Sequence, residues 1–175
     1  MPTDLSPRAG EPHAPPLSLP HDTTKVLPSA PQKVRVAWPH VVLGALGIAA
    51  GAVAVYEHAL VMAGKATGCG ATETISCDKV LGSDYGAVFG IPLGVYGMLF
   101  WAIVLLLSVE GKGTSPRSAT WQRFAVASVG LGSSLVLAYV SLVVIGKFCP
   151  VCATTHVLSG LNFLVAAWSV WKGRL

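Results

Sequence analysis

Four apolar blocks, at about 39–62, 91–109, 124–146 and 148–170, carry almost no charge along their length. Each approaches the ~20 residues that a helix needs to cross a hydrocarbon core of ~30 Å. Within lipid the backbone must satisfy its own hydrogen bonds, and a closed barrel would need alternating polarity that these blocks lack. Helices are the remaining choice. Composition agrees: the 175 residues are 53% hydrophobic and 11% charged, with a mean hydropathy of +0.62. Soluble domains carry about 25% charged residues, so a polar coat is out of reach. The expected fold is an all-α membrane protein, a four-transmembrane-helix bundle in which the blocks are the spans.

Residues 1–36 have a different character. They contain eight prolines and no apolar periodicity, and they lack the short apolar run and small-residue cleavage site of a signal peptide. Such a stretch cannot bury enough surface to offset its ordering entropy. A disordered, Pro-rich cytoplasmic tail is expected over 1–36, and a transmembrane catalytic domain over 37–175.

The basic residues orient the spans. Arg8, Lys25, Lys33, Arg35, Lys112, Arg117, Arg123, Lys172 and Arg174 fall on one side of the four crossings, against Lys65, Lys79 and Lys147 on the other. The positive-inside rule then places both termini in the cytoplasm. Trp38, Trp121, Trp168 and Trp171 fall at the same cytoplasmic helix ends, whereas Trp101 lies inside the second span. The basic residues form no aromatic-interleaved patch, which argues against a nucleic-acid partner; the expected surroundings are a lipid bilayer.

All four cysteines land on the outer, oxidising side, where disulfides persist. They form two pairs, Cys69-x7-Cys77 and Cys149-Pro150-Val151-Cys152. A Cys-x-x-Cys pair spans one helical turn, close enough for a disulfide. Pro150 suits a first turn, and the free N–H groups and dipole of a helix start stabilise a thiolate. Lys147 adds positive charge there. A bond of this span removes little entropy from the unfolded chain, so a redox role is expected over a structural one. Zinc is the other alternative, but C-x7-C is wide for a zinc knuckle, and no metal is expected. Cys69 and Cys77 lie in a glycine-containing polar stretch that reads as a mobile dithiol.

Downstream, the apolar positions 80, 81, 85, 88 and 89 fall on one face at helical spacing. They suggest a short amphipathic lid helix over the bundle mouth, within a large outer loop. Gly47 and Gly51, and Gly86, Gly90 and Gly94, fit close helix approach. Glu57 and His58, near the outer end of the first span, are candidate proton carriers, but their interfacial depth favours reading them as a solvated helix end.

The ordered set Cys69-x7-Cys77, Val80, Ser83, Gly90-Ile91-Pro92, Gly97 and Cys149-Pro150-Val151-Cys152 resembles the vitamin K epoxide reductase family across about residues 38–172. Gly90-Ile91-Pro92 is most similar to prokaryotic members. The resemblance implies a four-helix bundle around a quinone of menaquinone, ubiquinone or phylloquinone type. In that scheme Cys152 reduces the quinone, Cys149 exchanges with Cys77, and Cys69 meets a thioredoxin-fold thiol protein, periplasmic or otherwise extracytoplasmic. Ser83, His156, Val88 and Phe89 would contact the quinone, His156 standing where animal members carry a tyrosine. Leu93 replaces their quinone-binding asparagine. Some bacterial members continue into a thioredoxin-like domain; here the partner is expected to be a separate protein, and the location a bacterial inner membrane. The unrelated DsbB-like disulfide oxidases place their Cys-x-x-Cys first, the reverse of the order here. A non-catalytic membrane protein with structural disulfides or zinc is the third reading.

Overall fold

The computed structural model describes residues 36–69, 72–109 and 115–173. The expected disordered tail therefore lies almost entirely outside the described residues. Within them the chain is mostly helical. Helix α1 covers Trp38–Met62, with Pro39 in its first turn, where the missing N–H costs nothing. A five-residue helix α2, Cys77–Leu81, is capped by Ser76, whose hydroxyl accepts the Lys79 N–H at 3.3 Å. A two-stranded hairpin follows, β1 (Ala87–Val88) against β2 (Ile91–Pro92), and leads into α3, Leu93–Leu107. Helix α4, Pro116–Tyr139, continues as a π-helical turn, Val140–Val144, and α5 covers Pro150–Lys172.

Three of these helices are long and apolar enough to cross a membrane: Trp38–Met62, Pro116–Val144 and Pro150–Lys172. The second expected span is a shorter apolar helix. Its 15 residues reach about 22 Å at 1.5 Å per residue. Pro92 causes the late start: its backbone is extended (φ −55°, ψ 138°) and paired in β2, so the helix opens at Leu93. The third span begins earlier than expected, at Pro116, because Ser115 caps it by accepting the Ser118 N–H at 3.2 Å.

The lid helix is corrected. Positions 80 and 81 are helical, but Val88 sits in β1 and Phe89 in the hairpin turn, with φ +53° beside Gly90 at +76°. The helical spacing fails there because a left-handed residue and a glycine reverse the chain within two residues.

Helix α1 packs on α3 and α5, α4 packs on α5, and α3 meets α4 more lightly. The glycine spacing on α1 has a direct cause. A Cβ at Gly47 would lie 2.1 Å from the ring of Trp101, which is 2% exposed. The unexpected tryptophan inside a span is thus the knob that Gly47 receives. Toward the start of α1, the His40 ring N–H donates to Asn162 Oδ1 on α5 at 2.7 Å, a polar brace buried in the bundle. Large apolar side chains such as Val53, Leu106, Val129 and Leu164 face outward along the long helices, as a lipid-facing surface requires.

Candidate active site

A backbone register brings the two cysteine pairs together. The Phe148 N–H donates to the Thr74 carbonyl at 2.8 Å, and the Ser76 N–H donates to the Phe148 carbonyl at 3.1 Å, with Ile75 and Phe148 paired as a parallel bridge. The ammonium of Lys147 adds a bond to the Glu73 carbonyl. Cys77 follows two residues after Ile75 and Cys149 one after Phe148, and their sulfurs lie 3.4 Å apart. Cys77 is disulfide-bonded to Cys69, with Cα atoms 6.1 Å apart, while Cys149 and Cys152 are free thiols. Both Cys77 and Cys149 are buried among Val80, Leu81, Val61, Ile145 and Val151. Water is excluded where thiol and disulfide meet.

Cys77 is not a mobile loop residue. It is the first residue of α2 and fully buried, because the Ser76 cap and the pairing with Phe148 hold it. Among the described residues, no group of three or more His, Cys, Asp and Glu side chains is placed to hold a metal ion.

Cys149 is the N-cap of α5, and its sulfur accepts the Cys152 N–H at 3.3 Å. It lies just outside the candidate span Pro150–Lys172. Hydrogen bonding from the Cys152 thiol, aided by the Cys152 and Val151 N–H groups, outweighs burial and lowers the Cys149 thiol to about 7. The thiolate is the exchanging species. The rate at which Cys149 opens the Cys69–Cys77 disulfide should therefore rise about tenfold per pH unit below 7 and level off above it. Stopped-flow mixing followed by acid quench and mass mapping measures this. A rate still climbing between pH 8 and 9 would reveal an ordinary thiol.

Cys152, one turn further, opens onto a cavity of about 290 Å³ lined by all four long helices and α2. Its wall is largely apolar, with Leu81, Leu93, Phe100, Trp101, Leu137 and Ile145 among its residues. One side is polar: Ser133, Ser134 and Ser141 from α4 and its π turn, and Thr155, His156 and Ser159 from α5. The Ser134 hydroxyl and His156 Nδ1 are hydrogen-bonded at 2.6 Å.

Of the expected quinone contacts, His156 lines this cavity, and so does Leu93. The other three do not. The Ser83 hydroxyl turns back to donate to the Val80 carbonyl at 2.7 Å, closing the turn after α2. Val88 and Phe89 are carried outward by the hairpin, Phe89 being 96% exposed. Sequence reasoning missed Ser134 and Tyr96. A serine within an apolar span was a usable signal; nothing local marked Tyr96, whose hydroxyl donates to the Val88 carbonyl at 3.1 Å.

A family model described as the vitamin K epoxide reductase family matches residues 38–167. The chain belongs to this family. Among characterised proteins it is similar to the thiol-disulfide oxidoreductase LTO1 of Arabidopsis thaliana, 33% identical over 102 residues. That match covers 54% of this chain and 27% of the plant protein, so the chain spans well under half the length of this relative. The matched region of this vitamin K epoxide reductase family member takes in all four cysteines and every long helix but the last turn of α5.

Proposed function

We propose that the chain is a membrane thiol oxidoreductase that couples disulfide formation in a thioredoxin-fold partner to reduction of a quinone. The observation that carries this reading is the line of sulfurs from the Cys69–Cys77 disulfide across 3.4 Å to Cys149, with Cys152 on the cavity wall. Family membership and the similarity to a thiol-disulfide oxidoreductase support it.

The electrons balance in three exchanges. A reduced partner attacks the Cys69–Cys77 disulfide and leaves as its own disulfide, converting both cysteines to thiols. The Cys77 thiolate then attacks Cys149 of a Cys149–Cys152 disulfide, and Cys69 resolves the mixed disulfide. Finally Cys149 and Cys152 close again, passing two electrons and two protons to the quinone, which becomes a hydroquinone. In the tautomer in which Ser134 donates to Nδ1 of His156, Nε2 carries the ring hydrogen and is free to serve as the donor to a quinone carbonyl. Leu93 offers no such bond, so His156 is the polar contact on which this reading relies.

We place the protein in a cell membrane of bacterial type, with four crossings that include Leu93–Leu107, both termini cytoplasmic and the cysteines outside. The excess of nine basic residues at the opposite helix ends and flanks over Lys65, Lys79 and Lys147 at the cysteine end supports this orientation. Purified protein reconstituted with a reduced thioredoxin-fold protein and separate menaquinone, ubiquinone, phylloquinone and vitamin K epoxide should yield one hydroquinone per partner disulfide with at least one quinone. Failure with every acceptor, the cysteines remaining unchanged, would refute the coupling.

A further inference from the structure

Two adjacent residues at the end of α1 grip both ends of the redox segment. The Glu57 carboxylate accepts the Gly68 N–H at 2.9 Å, one residue before Cys69. The His58 ring N–H donates to the Leu81 carbonyl at 2.9 Å, four residues after Cys77. Leu81 ends α2, where a helix leaves its last carbonyls without partners, so the imidazole caps it. Between these two points the Thr67 hydroxyl donates to the Asp78 carboxylate and ties the base of the loop together.

Glu57 is not the solvated helix end that its place in the sequence suggests. It is 7% exposed, and the room for it is kept by Gly68, where a Cβ would stand 2.9 Å from Oε1. A buried carboxylate is costly unless its hydrogen bonds are made. Its observed partner is the backbone beside a redox cysteine.

We propose that Glu57 and His58 are positioning residues for electron transfer: a two-point latch that holds Cys77 within reach of Cys149. The inference rests on the Cys77–Cys149 relay described above. Neither side chain is required to touch the partner protein or the quinone. Their role is to supply a high effective concentration of one sulfur at the other, through hydrogen bonds from the fixed end of α1. The charge on Glu57 is not essential to this role, because a glutamine carbonyl accepts the same N–H.

The test uses the full chain carrying Cys69→Ser and Cys152→Ser, which leaves Cys77 and Cys149 as its only thiols. Equilibration in detergent with reduced and oxidised glutathione gives the effective concentration of one thiol at the other. Adding Glu57→Ala should lower it at least about tenfold. Gly68→Val, which crowds the carboxylate out of its place, and His58→Phe should each act in the same direction. Glu57→Gln should stay within about threefold of the parent. Should Glu57→Ala fail to fold, judged by helical circular dichroism and melting, Gly68→Val and His58→Phe carry the test. Unchanged effective concentrations in these variants overturn the latch. Loss in Glu57→Gln equal to that in Glu57→Ala overturns the hydrogen-bond account. A parent protein that forms no Cys77–Cys149 disulfide overturns the relay itself, and that outcome is distinct from the other two.

Discussion

Replacing Cys152 with Ser should abolish quinone reduction while the protein still inserts and folds, and the further change Cys69→Ser should leave Cys77 and Cys149 to form a stable disulfide in a glutathione redox buffer. The loss expected is about a thousandfold or more, equivalent to roughly 4 kcal/mol in the barrier. Three observations make the effect large. Cys152 is the cysteine on the wall of the larger cavity. Cys149 is 2% exposed and packed with Cys77, Val80 and Leu81 instead. Among the described residues no other cysteine lines that cavity. The stable disulfide follows from the 3.4 Å approach of Cys149 to Cys77: with both Cys69 and Cys152 replaced, no neighbouring thiol remains to resolve it. Acid quenching, non-reducing digestion and peptide mass measurement identify the bond. Hydroquinone formation persisting in the single variant would sink the assignment of Cys152, and a double variant that forms no Cys77–Cys149 disulfide would sink the path through Cys149.

Replacing Gly97 with Leu should separate the two halves of the reaction. Gly97 lines the cavity, and a Cβ added there would meet nothing within 4 Å. A leucine therefore adds four carbons at the wall of a space of about 290 Å³, its Cβ meeting no neighbour. Glycine inside a helix costs about 0.5–1 kcal/mol relative to alanine, and filling an apolar void is favourable. The variant should melt no lower than the parent. Quinone turnover should fall by at least about a hundredfold, or about 2.7 kcal/mol, mainly through KM, because the ligand's space is taken. Exchange between Cys77 and Cys149 should continue at its original rate. Gly132 on α4 provides the control: it too has nothing within 4 Å of an added Cβ, but it is exposed and does not line the cavity. Gly132→Leu should leave turnover unchanged. If Gly97→Leu turns over quinone normally, the reaction takes place elsewhere.

The parts legible in the sequence were those set by near neighbours. The apolar blocks 39–62, 124–146 and 148–170 required helices because lipid leaves the backbone no other partners, and α1, α4 and α5 follow them closely. Cys149 could be placed at a helix start from Pro150 and the apolar block that follows it. Its cap geometry supplies the reason. The glycine spacing on α1 signalled close approach, and Trp101 fills the approach at Gly47.

The errors fell where direction depends on a turn. Val88 and Phe89 kept a helical spacing on paper, but Gly90 lets the chain reverse, and Phe89 points to the exterior. Ser83 was assigned to a ligand, yet a hydroxyl three residues past a carbonyl at a helix end has a nearer partner in Val80. Glu57 looked solvated because its partner, Gly68, announces nothing in the sequence.

By itself, then, the sequence determined the helical character, the charge asymmetry across the spans and the presence of two dithiols, one at a helix start. Each of these follows from composition or from contacts within a turn or two. Only the tertiary structure decided which sulfurs meet. The separation of 72 positions from Cys77 to Cys149 leaves no local signal for the register of Ile75 on Phe148 that joins them. It decided likewise that Ser134 would stand behind His156, and that Glu57 and His58 would hold the loop. Long-range pairing depends on packing between helices, whose side-chain directions are settled only when the bundle closes.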